Sequence, residues 1–339
     1  MAKTRGKVRA LIVNSGNANC ATGHAGISSC KHVCRDAAKI LGATAEEIFP
    51  SSTGIIGVRF PAEKIQEKLP ELIAARSSTL EAAEAFARAI MTTDTRPKIA
   101  ARRLHVSAND VTILGIAKGA GMIHPQLATM LVYLFADIHA PAPELKKLLR
   151  EACDSSLNCI SIDGDTSTND TVLLLASGAS QVRLESRTRN KFSAALTEVC
   201  QSLAEQITTD GEGVQHVIRL HIRQARSRQE AMTVARTVAH SALVKTAWAG
   251  ADPNWGRILA AVGRSGVPVE PSRLQISIGN QKVCRNGAAI SFDERTAHAA
   301  LAQPVCDVVV DLGRGRHSVH FLTTDLTAEY VRINADYST

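Results

Sequence analysis

Aromatic residues are scarce in this chain, at 4% of 339 residues, so its core is expected to be aliphatic. The basic residues are scattered and form no stripe. With so few rings, that leaves no stacking platform for a nucleic acid. The eight cysteines include no Cys-x-x-Cys pair and no Cys/His spacing of the zinc-finger kind, which argues against a structural zinc site. With no secretory signal in view, they read as reduced and mostly buried thiols of a cytoplasmic protein. The basic N-terminus is followed by an apolar stretch, Ala10 to Val13, that is too short for a signal peptide. No window approaches the roughly 20 apolar residues of a membrane-spanning helix. Internal repeats and low-complexity linkers are also missing.

What is present is the composition of a globular protein, 45% hydrophobic and 21% charged. At roughly 100–200 residues per domain the length suggests two domains, or one large sandwich with an appendage, and it is ample for a sizeable core. Lysine and arginine exceed aspartate and glutamate by 39 to 32, a net charge of +7, which favours small anionic ligands without requiring nucleic acid.

Strands and helices alternate along the chain. A β-like run over 8–14 ends in the small polar loop Ser15-Gly16-Asn17-Ala18-Asn19. Helical spacing covers 26–42 and 61–91, with a glycine-containing turn, Ser51 to Gly57, between them. A hairpin is expected over 99–117 around Ser107-Ala108-Asn109-Asp110, leading into the loop Lys118-Gly119-Ala120-Gly121-Met122. A strand then starts near Ala128, and its apolar run through Ala136 predicts burial on both faces. Helices are expected at about 142–157 and 190–206, and strands near 158–162, 171–176 and 216–223. The last third reads as a helix over about 227–247, strands near 258–262, 274–279 and 306–311, and a hairpin at Gly313-Arg314-Gly315. This interleaving places the chain in the α/β (α+β) class, built in stacked layers.

Several segments carry residues suited to chemistry, and each has a plain structural reading beside the functional one. Thr129 is a β-branched residue fit for strand packing, or an N-terminal nucleophile held inside a precursor. In the second reading its hydroxyl attacks the Ala128 carbonyl, an N-to-O acyl shift makes an ester, and water releases a chain beginning with Thr129. The freed α-amine, with an unperturbed pKa of about 7.7–8.0, then serves as the base for the adjacent hydroxyl. Thr53-Gly54 is an ordinary turn or a pair of donors for an oxyanion. Glu212, flanked by Gly211 and Gly213, is a solvated turn carboxylate or the partner of a cationic substrate. Lys118 is a surface lysine or a carboxylate or phosphate ligand, although the Walker pattern is absent. The run from Asp163 to Asp170 has the composition of a calcium loop but lacks the terminal glutamate, so Asx and ST turns account for it better. Trp255 lines a pocket or caps a core.

Taken together and in order, these segments resemble one family, the self-cleaving ornithine acetyltransferases (glutamate N-acetyltransferases) of arginine biosynthesis. The resemblance rests on Val13 to Asn19, Ser52-Thr53-Gly54-Ile55-Ile56-Gly57, Met91-Thr92-Thr93-Asp94-Thr95 with Pro97-Lys98, and Lys118 to Ile123 leading to Ala128-Thr129-Met130-Leu131. It continues through Asp163 to Asp170, Asp210-Gly211-Glu212-Gly213, Leu243 to Ala247, Asp252 to Ile258 and Glu329 to Tyr337, so it spans nearly the whole chain.

The resemblance implies that Thr129 is the nucleophile and that the cut falls between Ala128 and Thr129, giving fragments 1–128 and 129–339. It implies Thr53 and Gly54 as the oxyanion pair, and Thr92, Lys118, Thr129, Glu212, Asn334 and Thr339 as substrate contacts. The implied substrates are N-acetylornithine and glutamate, joined by an acetyl-Thr129 intermediate, with no resident cofactor. Whether acetyl-CoA also serves as a donor stays open. The implied fold is a layered α-β-β-α sandwich, here residues 1–240, with a smaller C-terminal α/β part, 241–339, whose tail returns to the active site. Two copies of each cleaved chain would assemble, without nucleic acid or membrane. Family members carry a further segment ahead of the Val13-Asn14 block, whereas this chain begins almost at that block, so either the start is misplaced, the protein is a shortened variant, or the sandwich has lost edge strands and carries an exposed sheet edge. The rival readings are an amidase or aminopeptidase on the same self-cleaving fold, a basic non-catalytic binding protein, and an inactive truncated paralogue.

Overall fold

A computed structural model describes residues 4–106, 109–124 and 130–336 of the chain. The expected cut, Ala128 and Thr129, lies outside the described residues, as do Thr339 and the hairpin apex Ser107-Ala108.

The elements run, in order, β1 (Ala10–Asn14), α1 (Gly23–Leu41), β2 (Ile48–Ser52), α2 (Ala62–Ala74), α3 (Leu80–Ala89), β3 (Lys98–Val106), β4 (Asn109–Lys118) and β5 (Leu131–Ala136). They continue with α4 (Ala142–Asp154), β6 (Ile160–Ser161), β7 (Thr171–Ala176), α5 (Ser186–Thr209), β8 (Val217–Ala225), α6 (Arg228–Ala239), α7 (Ala242–Ala249) and α8 (Trp255–Gly263). The last are β9 (Gln275–Ile278), β10 (Gln281–Arg285), β11 (Ala288–Ala289), α9 (Glu294–Leu301), β12 (Val305–Asp311), β13 (His317–Thr324) and α10 (Ala328–Asp336).

The first half is layered α-β-β-α. An inner sheet has the order β3-β4-β5-β7, and its strand β5 is buried on both faces and accordingly reads as a continuous apolar run. On one face lie α4 and α5, whose Phe192, Leu196, Val199 and Leu203 pack with Val132 and Leu134. Gly115 allows this approach, because a Cβ there would stand 2.7 Å from both Leu203 Cδ1 and Val199 Cγ1. On the other face, Ile116, Tyr133 and Leu173 meet Leu11, Val13 and Phe49 of a second sheet together with Ala87 and Ile90 from the α3 region. That second sheet is the parallel pair β1-β2. Its alternate residues Ala10, Ile12 and Ile48 pack under Cys34, Ala37 and Ala38 of α1 and Leu69 of α2.

The second half is built on a seven-stranded sheet of order β11-β10-β9-β12-β8-β13-β6. One face is covered by α6, α7 and α8 through Val234, Val238, Trp248 and Ile258. The sheet draws β6 and β8 from before residue 240 and the remaining strands from after it.

Four details differ from the sequence expectation. The helical run over 61–91 is two helices, because Thr79 leaves the helix and caps α3, its hydroxyl accepting from the Ala82 N–H at 3.3 Å. The run over 227–247 likewise breaks at Ser241, whose backbone is extended. The strand expected near 258–262 is helix α8. A short apolar run fits either element, and Asn254 decides it by capping the Arg257 N–H at 3.2 Å. Gly313-Arg314-Gly315 is not a hairpin turn, since β8 lies between β12 and β13, parallel to the first and antiparallel to the second. The turn wraps the end of β8, Arg314 and Gly315 both donating to the Gln224 carbonyl.

Candidate active site at the end of the inner sheet

The site begins with Lys118, the last residue of β4. The strand carries it in at the edge of the core, where it is 3% exposed. Its ammonium donates to Thr92 Oγ1 at 2.8 Å and Thr53 Oγ1 at 3.2 Å, with Asp94 Oδ2 at 4.0 Å. Burial pulls the Lys118 pKa down from its ordinary value, against the pull of Asp94, Glu212 and Asp170.

Thr53 and Gly54 are placed by the loop that follows β1. The Thr53 N–H donates to Asn14 O at 2.9 Å, and Ile55 N to Gly16 O at 3.4 Å. Gly54 has φ 119°, and a Cβ there would lie 2.3 Å from the Gly16 carbonyl carbon, so only glycine fits. Among the described residues the Gly54 N–H has no acceptor. Thr53 Oγ1 accepts from Lys118, which leaves its own proton free to donate.

Beneath Lys118 lies a buried ion triad. Lys98 Nζ sits 2.6 Å from Asp94 Oδ1 and 2.6 Å from Asp210 Oδ2. Asp94 also accepts from Gly119 N at 2.6 Å and Thr92 N at 3.1 Å. Asp210, which follows α5, takes the Thr95 N–H at 3.1 Å and the Thr95 hydroxyl. The triad thus ties the Thr92–Thr95 loop, the start of β3 and the end of α5 to the Lys118-Gly119 backbone. Burial opposes ionisation of Asp94, but Lys118 and Lys98 hold its carboxyl below the usual carboxylate range.

Glu212 enters from the turn after α5. Its N–H donates to Ala120 O at 2.9 Å, and its carboxylate lies against Gly121, where a Cβ would stand 2.4 Å from it. Asn334 on α10 donates to Glu212 Oε2 at 2.8 Å. The same helix is anchored by Thr327, whose hydroxyl donates to Gly213 O at 2.7 Å, and by Tyr330, whose hydroxyl donates to Asp163 Oδ2 at 3.3 Å.

Asp163 accepts from the backbone N–H groups of Met122, Ile123 and Asp165. It therefore grips the Lys118–Ile123 loop as an Asx motif rather than as a cation ligand. Further along that run, Asp170 Oδ1 accepts from Met130 N at 2.9 Å, and Asn169 Nδ2 donates to Ser52 O and Oγ at 3.1 and 2.8 Å. No group of His, Cys, Asp and Glu able to hold a metal occurs among the described residues. Trp255 packs against the C-terminal core and lines an open cleft with Phe292, Arg295 and His298.

The structure therefore brings Thr53, Gly54, Thr92 and Lys118 together, and joins Glu212 to Asn334 beside the loop that Lys118 opens. Asp94, Lys98, Asp210, Asn169, Asp170 and Tyr330 were not singled out from sequence. The one local signal was Asp94 and Lys98, four apart with opposite charge. Asp210 lies 112 residues further on.

The ArgJ family profile matches residues 1–339. The chain belongs to the ArgJ family. It is 45% identical over 336 residues to the arginine biosynthesis bifunctional protein ArgJ of Methylococcus capsulatus, covering 98% of this chain and 82% of that one. It is 43% identical over 339 residues to the glutamate N-acetyltransferase of Methanopyrus kandleri, covering 99% and 87%. The crystal structure of ArgJ from Bacillus halodurans superposes with a TM-score of 0.58 at 37% identity, over 61% of this chain and 98% of that one. The curated relatives thus match nearly the whole of this chain, and the ArgJ crystal structure shares its mixed α/β architecture over 61% of it. Among the described residues no helix is long and apolar enough to cross a membrane.

Proposed function

We propose that the chain cuts itself between Ala128 and Thr129 and then transfers an acetyl group from N-acetylornithine to glutamate through an acetyl-Thr129 ester. The observation that carries this reading is the convergence of Lys118 with the Thr53 and Thr92 hydroxyls at 2.8–3.2 Å beside a Gly54 N–H that has no acceptor among the described residues, in a chain of the ArgJ family. An amide-acetyl donor needs a nucleophile, an oxyanion site and a proton donor for the leaving amine. Thr129 Oγ attacks the acetyl carbonyl. The Thr53 hydroxyl and Gly54 N–H receive the developing oxyanion, and Lys118, already donating to Thr53, polarises that hydroxyl further. The Thr129 amine protonates the departing ornithine nitrogen. Glutamate enters the same pocket, its amine takes the acetyl group, and ping-pong kinetics follow.

Both substrates carry an α-carboxylate, for which the Lys118 and Thr92 pair is the complement. Ornithine alone carries a side-chain ammonium, for which Glu212, steadied by Asn334, is the complement. Thr339, outside the described residues, is a further substrate contact in this reading. This chemistry uses no resident cofactor, and acetyl-CoA would enter only as an alternative acetyl donor. The working form is two copies each of chains 1–128 and 129–339 in the cytoplasm, a setting that agrees with eight free cysteines.

Two measurements test the reading. The intact mass of the purified wild type should show two chains where Thr129→Ala shows one, and a folded wild type that stays whole overturns the nucleophile assignment. Ornithine release from N-acetylornithine should require glutamate, and release at equal rate without glutamate would make the protein a hydrolase.

A further inference from the structure

The self-cleavage just proposed leaves a chemical gap. After the cut the Thr129 amine is the base, but before it that nitrogen is an amide, whose lone pair is delocalised into the carbonyl and cannot take the hydroxyl proton. The precursor needs another proton acceptor beside residue 129.

The described residues offer one. β5 and β7 are parallel neighbours in register, with Leu131 opposite Thr171, so Asp170 stands one residue before β7 as Met130 stands one residue before β5. Asp170 Oδ1 accepts from Met130 N at 2.9 Å, and that N–H belongs to the peptide unit shared with Thr129. Its other oxygen, Oδ2, is buried and accepts from no donor among the described residues. The preceding residue, Asn169, holds Ser52 O and Oγ, next to Thr53. The Asn169-Asp170 pair therefore spans from the oxyanion residues to the residue after the cut.

We propose that Asp170 is the proton acceptor for self-cleavage, using Oδ1 to hold the Met130 N–H and Oδ2 to take the proton of the Thr129 hydroxyl. The Thr129 Oγ–H proton passes to Asp170 as Oγ bonds to the Ala128 carbonyl carbon. The tetrahedral adduct then breaks its C–N bond, and Asp170 returns the proton to the nitrogen, which becomes the Thr129 amine. Water cleaves the resulting ester, giving the Ala128 carboxylate and restoring the threonine hydroxyl. The proton carried by Asp170 is taken and returned, so no outside reagent beyond water is consumed. Burial suits the carboxyl to this role, raising its pKa to about 7 against the hydrogen bond from Met130 and the charge of Lys118. Lys118, on β4, is the charged group that faces it, and Lys118 is faced in turn by Asp94 and Glu212.

The inference rests on the self-cleavage reading, and the test separates the two. Full-length chain made by cell-free synthesis is desalted into buffers from about pH 5.5 to 8.5, and its cutting is followed by intact mass. The wild-type rate should rise with pH through about 7, because only the ionised carboxylate accepts a proton. Asp170→Asn, which keeps an acceptor for Met130 N–H but cannot take the proton, should cut about a hundredfold more slowly at neutral pH and lose that pH limb, while Asp170→Glu should recover part of the rate. Cutting of folded Asp170→Asn within about threefold of wild type overturns the assignment and leaves self-cleavage intact. If that variant does not fold by circular dichroism, the wild-type profile decides, and a rate flat across the range overturns the assignment. A folded wild type that is never cut removes the self-cleavage reading and this inference with it.

Discussion

Lys98, at the end of the inner sheet, and Lys245, beneath the seven-stranded sheet, are both buried, yet their surroundings meet the cost of that burial differently. Lys98 has no exposed side-chain surface and lies between two carboxylates, each 2.6 Å away. Lys245 donates to the carbonyl and hydroxyl of Thr324, both neutral. Burial pulls its pKa down to about 8, against the more distant pull of Asp325 and Asp163. A lysine flanked by counter-charges ties segments together, whereas one with neutral partners gives up its proton more readily. Lys118 combines both settings, with two hydroxyls in contact and Asp94 at 4.0 Å. Its positive charge is therefore available to a carboxylate ligand.

Substitutions that remove one setting and leave the other sharpen this contrast. Lys98→Met should destabilise the fold by about 3–5 kcal/mol in denaturant titration, because it strands two buried carboxylates. A loss under about 1 kcal/mol would mean that the triad is not a tie. Lys245 makes the opposite prediction with pH. Its folded-state pKa, about 8, lies below the ordinary 10.5, so folding favours the neutral form. Its contribution is least favourable below about pH 8 and improves as pH climbs toward 10.5. Relative to Lys245→Met, wild-type stability should therefore gain about 3 kcal/mol between pH 7 and 10.5, and a constant difference would break the contrast.

At the site itself, Lys118→Met should cost about a hundredfold in transferase kcat/KM while the melting temperature holds near wild type. Glu212→Gln should raise KM for N-acetylornithine about tenfold with a smaller effect on glutamate, since a single charge contact is lost. Gly121→Ala should act in the same direction but only a few fold. Its methyl would meet the Glu212 carboxylate at 2.4 Å, and a flexible side chain is able to swing aside.

The order of elements was largely legible because hydrophobic periodicity is a local property. β7 and β12 fall within one residue of their expected bounds, and the buried run of β5 announced an inner strand. The misread pieces were those decided by single capping side chains, Thr79 and Asn254, or by sheet order, as at Gly313 to Gly315. The site divided in the same way. Thr53, Gly54, Thr92, Lys118, Glu212 and Asn334 stood out through motifs, but nothing near Asp94 in sequence points to Asp210, and Asp170 read only as part of a turn-rich run.

The sequence by itself determined the aliphatic core, the alternation of strands and helices, and the family, because residue type and spacing carry those directly. Tertiary structure alone decided which carboxylate meets which lysine. Lys98 is fully buried only because Asp210 returns from the far end of α5, and Asp170 reaches Met130 only because β5 and β7 pair in parallel across 40 residues. Contacts of that kind depend on register and layer packing, which no local pattern encodes.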